Sequence, residues 1–463
     1  VANGDGITIV QEAAGTAIAL DGATPNGLPA PSPRVTNFYQ FDCLGSQATC
    51  DATTNPALGA TALNPALAAP AFVSQGEITL PYYHFIPTAT DGSNIVASTW
   101  QADAATGAAI DAGAGNESGT TPPSPMVTHR YPFPTQQDNL TVPVLATFPN
   151  AGVVNTILGG AGHPLIAKPY PVIIYQHGIT TDRTATLPMA DALAFSCINA
   201  DQTGMSGLPC FATIAIDQPL HGVVPDGGTV PSLISVSDPN NVPTGNIGTP
   251  STDLSERHFN FTADATQSPI PMNYTTGAEL GSSGSLAINL SSLTTTRDTL
   301  RQAAIDLMNL NASLGCMDID GDGVPSWDAG TQTCTGAADL DSTKIYFIGH
   351  SLGGVDGIPF VATNNNSDVL ADGSNDTVSN TALPQVIAAS LLNTGGGLAK
   401  FTANSKNTNF GAPVILQGLA ASGLTQGTSD FESYMKVFQG VLDSSESMTF
   451  SDPLSDTDTG ILV

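Results

Sequence analysis

A pentapeptide in the C-terminal third of the chain has the residue types and spacing of a catalytic turn. Gly349-His350-Ser351-Leu352-Gly353 fits the pattern G-x-S-x-G and directly follows the β-rich run at residues 344–348. In a nucleophile elbow the serine lies at a tight turn from strand to helix, and the flanking glycines allow the crowded backbone. The pattern alone is common, so a fortuitous turn is the alternative. The preceding strand and two upstream strands ending in His-Gly favour Ser351 as a nucleophile.

Acyl transfer to a serine also requires hydrogen-bond donors for the oxyanion of the intermediate. The sequence predicts two backbone donors, the N–H of Leu352 after the serine and the N–H of Ile179 in "QHGITTDR". We expect His177, His221 and His350 to line the site. His177 and His221, each followed by glycine, are expected to brace their loops rather than to react.

The general base is harder to place. Hydrolases with this elbow order their triad along the chain as serine, acid and histidine, yet none of the seven histidines lies beyond residue 350. We therefore expect the acid and the histidine to come from a C-terminal segment outside this sequence. The alternatives are Asp456 or Asp458 as the acid and a rearranged triad based on His177 or His221.

A second group of chemically competent residues lies in "DIDGDGVPSWD". Asp318, Asp320 and Asp322 alternate along a turn and Asp328 follows. Alternate carboxylates on a turn can converge on one point, which suits the about six to eight oxygen ligands of Ca²⁺. The twelfth position of an EF-hand would be alanine, so the loop is not an EF-hand. A structural calcium site is the prediction, and a solvated acidic turn is the alternative.

Elements that could position these residues alternate along the chain. Short apolar runs indicate strands buried on both faces, and helical stripes separate them, which predicts an α/β fold with a mostly parallel sheet. The stretch at 170–178 is such a strand and 294–310 is a helix. The predicted organisation is an α/β-hydrolase fold with a β-rich N-terminal part. Its divisions are a loop-rich extension (1–70), a core (71–463), a lid-like insertion (223–289) and a calcium-loop insertion (316–334).

Composition narrows the environment. Only 11% of residues are charged and the net charge is −29, so neither nucleic acid nor an anionic membrane is an expected partner. The acidity indicates adaptation to saline or extracellular surroundings, or recognition of a cationic ligand. No apolar run is long enough for a membrane helix.

The six cysteines form three close pairs along the chain. Even, local pairing favours disulfides in an oxidising compartment, with reduced buried thiols as the alternative. The predicted bridges are Cys43–Cys50, Cys197–Cys210 and Cys316–Cys334. The last one would flank the acidic loop and pre-organise it.

Five stretches together give a more specific resemblance than any single motif. They run from about Gly76 to the last residue and look like the bacterial virulence-factor lipases, large secreted or surface-anchored α/β-hydrolases. This resemblance implies hydrolysis of carboxylic esters of lipid-like substrates, with Ser351 as the nucleophile. The stretches are "YPVIIYQHGITTDR", "AIDQPLHG", "SLAINLSSLTTTRDTLRQAAIDLMNL", "IYFIGHSLGG" and "FQGVLDSSE".

The leading hypothesis is a serine esterase or lipase, extracellular or on the bacterial cell surface. A polyester depolymerase would use the same chemistry, and an open cleft instead of an apolar lid at 223–289 would favour it. A calcium-stabilised surface-binding module with an incomplete hydrolase site is the alternative outside enzymes.

Overall fold

One large sheet organises the molecule. The computed structural model describes residues 31–43, 61–62, 71–104, 124–128, 131, 133–160, 162–199, 205–225, 245–264, 266–275, 281–328, 333–366, 383–406 and 411–463. Within these residues nine strands form a single sheet, and two small two-stranded sheets lie outside it.

The strands are β1 (Thr36–Cys43), β2 (Thr61–Ala62), β3 (Ala71–Tyr82), β4 (Asp138–Pro149), β5 (Tyr170–Gln176), β6 (Ala212–Ile216), β7 (Phe261–Ala263), β8 (Pro269–Pro271), β9 (Ser326–Asp328), β10 (Thr333–Thr335), β11 (Leu340–His350), β12 (Val386–Leu392) and β13 (Gly460–Leu462).

The helices are α1 (Ser93–Ala97), α2 (Ala151–Gly160), α3 (Leu187–Ala194), α4 (Leu293–Ser313), α5 (Leu352–Asn365), α6 (Leu398–Asn404), α7 (Ala412–Ala421), α8 (Ser429–Leu442) and α9 (Ser451–Ser455). Among the described helices, none is at once long enough and apolar enough to cross a bilayer.

The order of strands in the main sheet is β13-β12-β11-β5-β6-β4-β3-β1-β2. Strands β13 to β6 pair in parallel, whereas β4 pairs antiparallel with both β6 and β3. The parallel strands β5 and β6 are almost wholly buried, as expected for strands covered by helices on both faces. Because β11 ends at the elbow and α5 starts there, the fold is the predicted α/β-hydrolase fold.

The N-terminal prediction needs a correction. Residues 1–70 were expected to form a loop-rich extension, but β1 is a strand of the main sheet and pairs antiparallel with β3 over its length. Its Phe41 packs against Phe72, with ring centroids 4.8 Å apart. A register shift between Phe38 and Gln40 interrupts the pairing of residues 36–43. The apolar and polar side chains therefore do not alternate regularly, and the sequence pattern does not indicate a strand.

The insertion at 223–289, predicted as a lid, is tied to the body of the protein where it is described. The carboxylate of Glu77 accepts hydrogen bonds from the backbone N–H and hydroxyl of Ser251. The buried guanidinium of Arg257 pairs with Asp306 on α4 at 2.5 Å. Residues 226–244, 265 and 276–280 of the insertion lie outside the described residues. The described part of the insertion is therefore anchored to the core by these hydrogen bonds and this ion pair.

A different segment covers the elbow. Helices α6, α7 and α8 follow β12, and we call these three helices the helical cap. Apolar side chains of the cap share a cluster with Leu352 and Val355 of α5 and Leu300 of α4. The Tyr434 hydroxyl donates to the carbonyl of Leu290 at 2.7 Å. The side chains that the cap contributes to the cluster are Leu398, Ala399, Ala403, Ile415, Leu419, Phe431, Met435, Phe438 and Leu442.

Two of the three predicted disulfides are present, Cys197–Cys210 and Cys316–Cys334. The third prediction falls partly on Cys50, which lies outside the described residues. We expect non-reducing peptide mapping of the full chain to recover a Cys43–Cys50 peptide beside the other two. Scrambled pairing involving Cys43 would contradict the local-pair interpretation, and the two bridges of the structure serve as internal controls.

Candidate active site

Ser351 lies in a strained turn at the start of α5. Its backbone has φ 54° and ψ −116°, a left-handed conformation that costs a non-glycine residue free energy. The turn is held because the N–H of Ser351 donates to the carbonyl of Leu392 at the end of β12, at 2.8 Å. The side chain lines a pocket above the carboxyl ends of the parallel strands. This geometry is that of a nucleophile elbow.

Backbone contacts explain the two glycines of the pentapeptide. A Cβ on Gly353 would overlap the carbonyl oxygen of Gln176, and one on Gly349 would lie 2.6 Å from the carbonyl oxygen of Gly353. The elbow is thus in direct contact with the end of β5. A Cβ on Gly178 would lie 3.0 Å from Cβ of Ser351, so the loop after β5 runs beside the nucleophile.

The fully buried His177 fixes the orientation of that loop. Its Nε2 accepts a hydrogen bond from the N–H of Gln218 at 3.0 Å. Since an acceptor nitrogen carries no proton, Nδ1 holds the proton in the neutral ring and donates it to the carbonyl of Gly178 at 2.9 Å. The Thr181 hydroxyl donates to the same carbonyl at 2.7 Å. Burial lowers the pKa of His177, which keeps the ring neutral.

These contacts determine where the Ile179 N–H points. In a trans peptide the N–H and the preceding C=O point in opposite directions. Because the Gly178 carbonyl is held against His177 and Thr181, the Ile179 N–H faces away from them. Ile179 lines the same pocket as Ser351. The Leu352 N–H belongs to the first residue of α5 and has no helical acceptor. Neither N–H has an acceptor among the described residues.

A buried charge network supports the loop from below. The Arg183 guanidinium binds both oxygens of Glu256 at 2.8 Å and Asp217 at 2.5 Å, and its backbone N–H donates to Asp217 at 2.7 Å. Burial opposes ionisation of Asp217, but the Arg183 guanidinium outweighs it and lowers the pKa of the Asp217 carboxyl. The network joins the loop after β5, the end of β6 and the insertion. Removing one partner of such a buried pair typically costs about 3–5 kcal/mol.

No described histidine donates to or accepts from the Ser351 hydroxyl. His221 donates from Nδ1 to the carbonyl of Pro219 at 2.9 Å, and its buried Nε2 has no partner. A Cβ on Gly284 would overlap the His221 ring, so backbone closes that side of it. His350 is half-buried, with Nδ1 beside Gly178. Asp456 and Asp458 are exposed or half-exposed and precede β13.

The predicted calcium loop is only partly assembled. Carboxylate oxygens of Asp318, Asp320 and Asp339 lie within 4.8 Å of one another, a spacing and donor type that fit a calcium ion. Asp318 also accepts backbone N–H groups of Gly321 and Gly323 at 2.8 and 2.7 Å, which closes the turn. Burial raises its pKa.

Two members of this cluster were missed in the sequence. Asp339 lies well beyond the acidic run and arrives through the start of β11. The ammonium of Lys168 contacts Asp320, and it lies 2.6 Å from Asp339 and 3.2 Å from Asp322. Asp328, predicted as a ligand, is exposed in β9 and lies outside the cluster. No sequence pattern predicts the contact between residues 168 and 339, because only the pairing of β5 with β11 brings them together.

Comparisons with known proteins identify no family for this chain. No protein-family model matches it, and no curated protein matches it. Solved structures that are similar include a CE15 glucuronoyl esterase from Teredinibacter turnerae, with 10% identity, TM-score 0.32, and 94% of this chain and 62% of that chain covered.

Two others are a mutant of the rice cell wall degrading esterase LipA from Xanthomonas oryzae and a ferulic acid esterase from Streptomyces cinnamoneus. The first has 9% identity and TM-score 0.26, over 81% of this chain and 54% of that chain. The second has 12% identity and TM-score 0.23, over 66% and 83%. The chain spans less than two thirds of the glucuronoyl esterase and of this LipA mutant. At these values the likenesses carry no argument about substrate.

The buried His221 should make folding stability depend on pH. Burial lowers its pKa to about 3, below the value of about 6.5 in an unfolded chain. The unfolded state binds the extra proton between these values. The stabilisation is therefore complete above about pH 6.5 and is lost as pH falls toward 3.

Replacing His221 with asparagine keeps a donor for the Pro219 carbonyl and removes the titration. We expect His221→Asn to reduce the slope of unfolding free energy against pH by up to about 1.4 kcal/mol per pH unit in that window. Urea unfolding at several pH values measures it. His163→Asn, at a half-buried position outside the site, is the matched control. Equal slopes in wild type and His221→Asn would mean that the ring is solvated in the folded state.

Proposed function

We propose that this protein is a serine carboxylic-ester hydrolase that forms an acyl-enzyme on Ser351. The observation that carries the proposal is the strained elbow that presents Ser351 to a pocket beside two acceptor-free N–H groups, those of Ile179 and Leu352. Donors fixed before the reaction stabilise the developing oxyanion without having to reorganise.

The reaction follows from this arrangement. The Ser351 oxygen attacks the ester carbonyl carbon while its proton passes to a general base, and the carbonyl oxygen becomes an oxyanion between the two N–H groups. Collapse of the intermediate breaks the bond to the alcohol, which takes the proton and leaves. Water then attacks the acyl-enzyme, releasing the carboxylic acid and restoring the serine.

The base in this proposal is a histidine from outside the described residues. His177 and His221 are supports of the site because their hydrogen bonds and surroundings hold them below the loop. In hydrolases with this elbow the acid and the histidine follow the serine in sequence, which supports a base other than the histidines that precede Ser351.

We further propose a structural calcium ion at Asp318, Asp320 and Asp339. The loop leads into β11, so ordering it would stabilise the strand that ends at Ser351. The Lys168 ammonium competes for the same carboxylates, so binding requires it to move. The disulfides support an extracellular or cell-surface location, where calcium is abundant. Lipid-like esters are candidate substrates there.

The chain of 463 residues should label at Ser351 with a fluorophosphonate but turn over p-nitrophenyl esters slowly. A site that lacks a triad member retains about 10³–10⁴-fold acceleration over water from the oxyanion hole and binding. We therefore expect kcat far below the enzyme median of about 10 s⁻¹. Mass spectrometry of the labelled peptide and steady-state kinetics measure the two quantities.

Ser351→Ala is the control and should abolish both labelling and the residual turnover. An intact Ser351 that stays unlabelled would refute the proposed function. If the chain instead reaches a kcat near the enzyme median, and His177→Ala or His221→Ala removes it without unfolding the protein, the base lies among the described residues and our assignment of it is wrong.

Calcium should raise the melting temperature. A ligand that binds only the folded state at 100 times its Kd stabilises it by about 2.7 kcal/mol. Chelation with EDTA should therefore lower the melting temperature of the wild type, and added Ca²⁺ should restore it. Differential scanning fluorimetry measures the response.

Asp320→Asn should abolish the calcium response, whereas Asp328→Asn is the matched control and should keep it, since Asp328 lies outside the cluster. Lys168→Met removes the competing ammonium and should lower the calcium concentration needed. A melting curve that EDTA and Ca²⁺ leave unchanged in both wild type and Lys168→Met would rule out the site.

A further inference from the structure

The pocket beside Ser351 is almost entirely apolar. One wall is made by the loop after β5 and the first turns of α5, and Ile288 closes one side. The opposite wall is helix α6 of the helical cap. The apolar side chains that line the pocket are Ile179, Ile288, Leu352, Val355, Leu398 and Phe401.

Polar groups in the pocket are few. Among the lining residues none is ionisable; Thr402, Asn393 and Ser351 are the polar side chains. The Thr402 hydroxyl donates back into its own helix, to the carbonyls of Leu398 and Ala399 at 3.0 and 2.9 Å. Its hydrogen-bonding capacity as a donor is thereby used within α6. A sugar acid or another charged acid would be buried here without an ionic partner, which costs free energy. An aliphatic chain carries no charge, so its burial has no such cost.

The wall formed by α6 is held in place before any ligand binds. The buried carboxylate of Glu446 accepts the N–H groups of Gly397 and Leu398, at 2.9 and 3.1 Å, at the start of α6. The Ser447 hydroxyl donates to the carbonyl of Gly395 at 2.8 Å. Since an acidic group at a helix N-terminus stabilises the helix, the positions of Leu398 and Phe401 are set by these contacts.

The pocket is small. The centre of a water-sized sphere can move through only about 20 Å³ of it, although the empty space is about 350 Å³ when the part open to solvent is counted. Phe401 is 40% exposed while Leu398 is 3% exposed. Phe401 therefore lies where the pocket meets solvent, and its ring limits how far a chain can extend along α6.

We propose that this pocket binds the acyl chain of the ester and that Phe401 restricts it to short, uncharged aliphatic acids. The inference rests on the proposed function of Ser351 and adds the substrate class. The oxyanion donors and the apolar wall lie on the same pocket, so an acyl carbon attached to Ser351 has its chain directed along α6.

The test varies the acyl chain at constant alcohol, with p-nitrophenyl acetate, butanoate, hexanoate and octanoate. The ratio of kcat/KM for two acyl chains is informative even at low turnover, because a common loss in proton transfer cancels. The wild type should prefer butanoate to octanoate. Phe401→Ala should raise the octanoate-to-butanoate ratio by about tenfold, the size expected of a changed apolar subsite, and Phe401→Trp should lower it.

Val437→Ala is the matched control, since Val437 is 58% exposed on α8 and lies outside the pocket; its ratio should equal that of the wild type. Thermal melting verifies that each variant is folded. If folded Phe401→Ala and Phe401→Trp keep the wild-type ratio while Ser351 still reacts with fluorophosphonate, the acyl chain binds elsewhere and the inference falls. If Ser351 does not react at all, the proposed function itself fails.

Discussion

The close contact between the elbow and the end of β5 is the constraint on which the site depends. Gly353 lies against the carbonyls of Gln176 and His177, with no room for a Cβ, and this contact forces the serine between the two glycines into its left-handed conformation. The strain must be offset by surrounding structure. The parallel pairing of β11 with β5 and β12 supplies this supporting structure. The N–H of Ser351 also donates to the carbonyl of Leu392 at the end of β12.

The second constraint is electrostatic. Arg183, Asp217 and Glu256 are buried together, and each would be costly to bury without the others. Their geometry joins three chain segments that are far apart in sequence, so the loop bearing Ile179 cannot move without breaking an ion pair. The described part of the insertion therefore supports the loop after β5 through Glu256. The cover over the nucleophile is left to the helical cap.

The sequence was informative where a signal is local. The apolar run at 170–178 contains β5, and Ser351 lies at the turn that its glycines predicted. Pairings between distant segments were missed. A register shift interrupts the alternating pattern of β1, and Asp339 contacts Lys168 only because β5 pairs with β11. Glu446, which follows α8 in sequence, binds the N-terminus of α6. The helical cap was missed because its role over Ser351 depends on tertiary packing, whereas the insertion attracted attention by its irregular composition.

The hydrogen bonds that prepare the oxyanion site also determine which histidines can act as a base. His177 can orient the Gly178 carbonyl only if Nδ1 donates to it and Nε2 accepts from Gln218. Both ring nitrogens are then occupied below the loop, and turning the ring toward the nucleophile would break both bonds and release the Ile179 N–H from its orientation. His221 packs edge-on against His177, with ring centroids 5.1 Å apart, and a proton on it would place a charge on a fully buried ring. If the two N–H groups act as the oxyanion donors that we propose, these two rings have to stay neutral and in place, and the proton of Ser351 has to pass to a residue that does not support the loop.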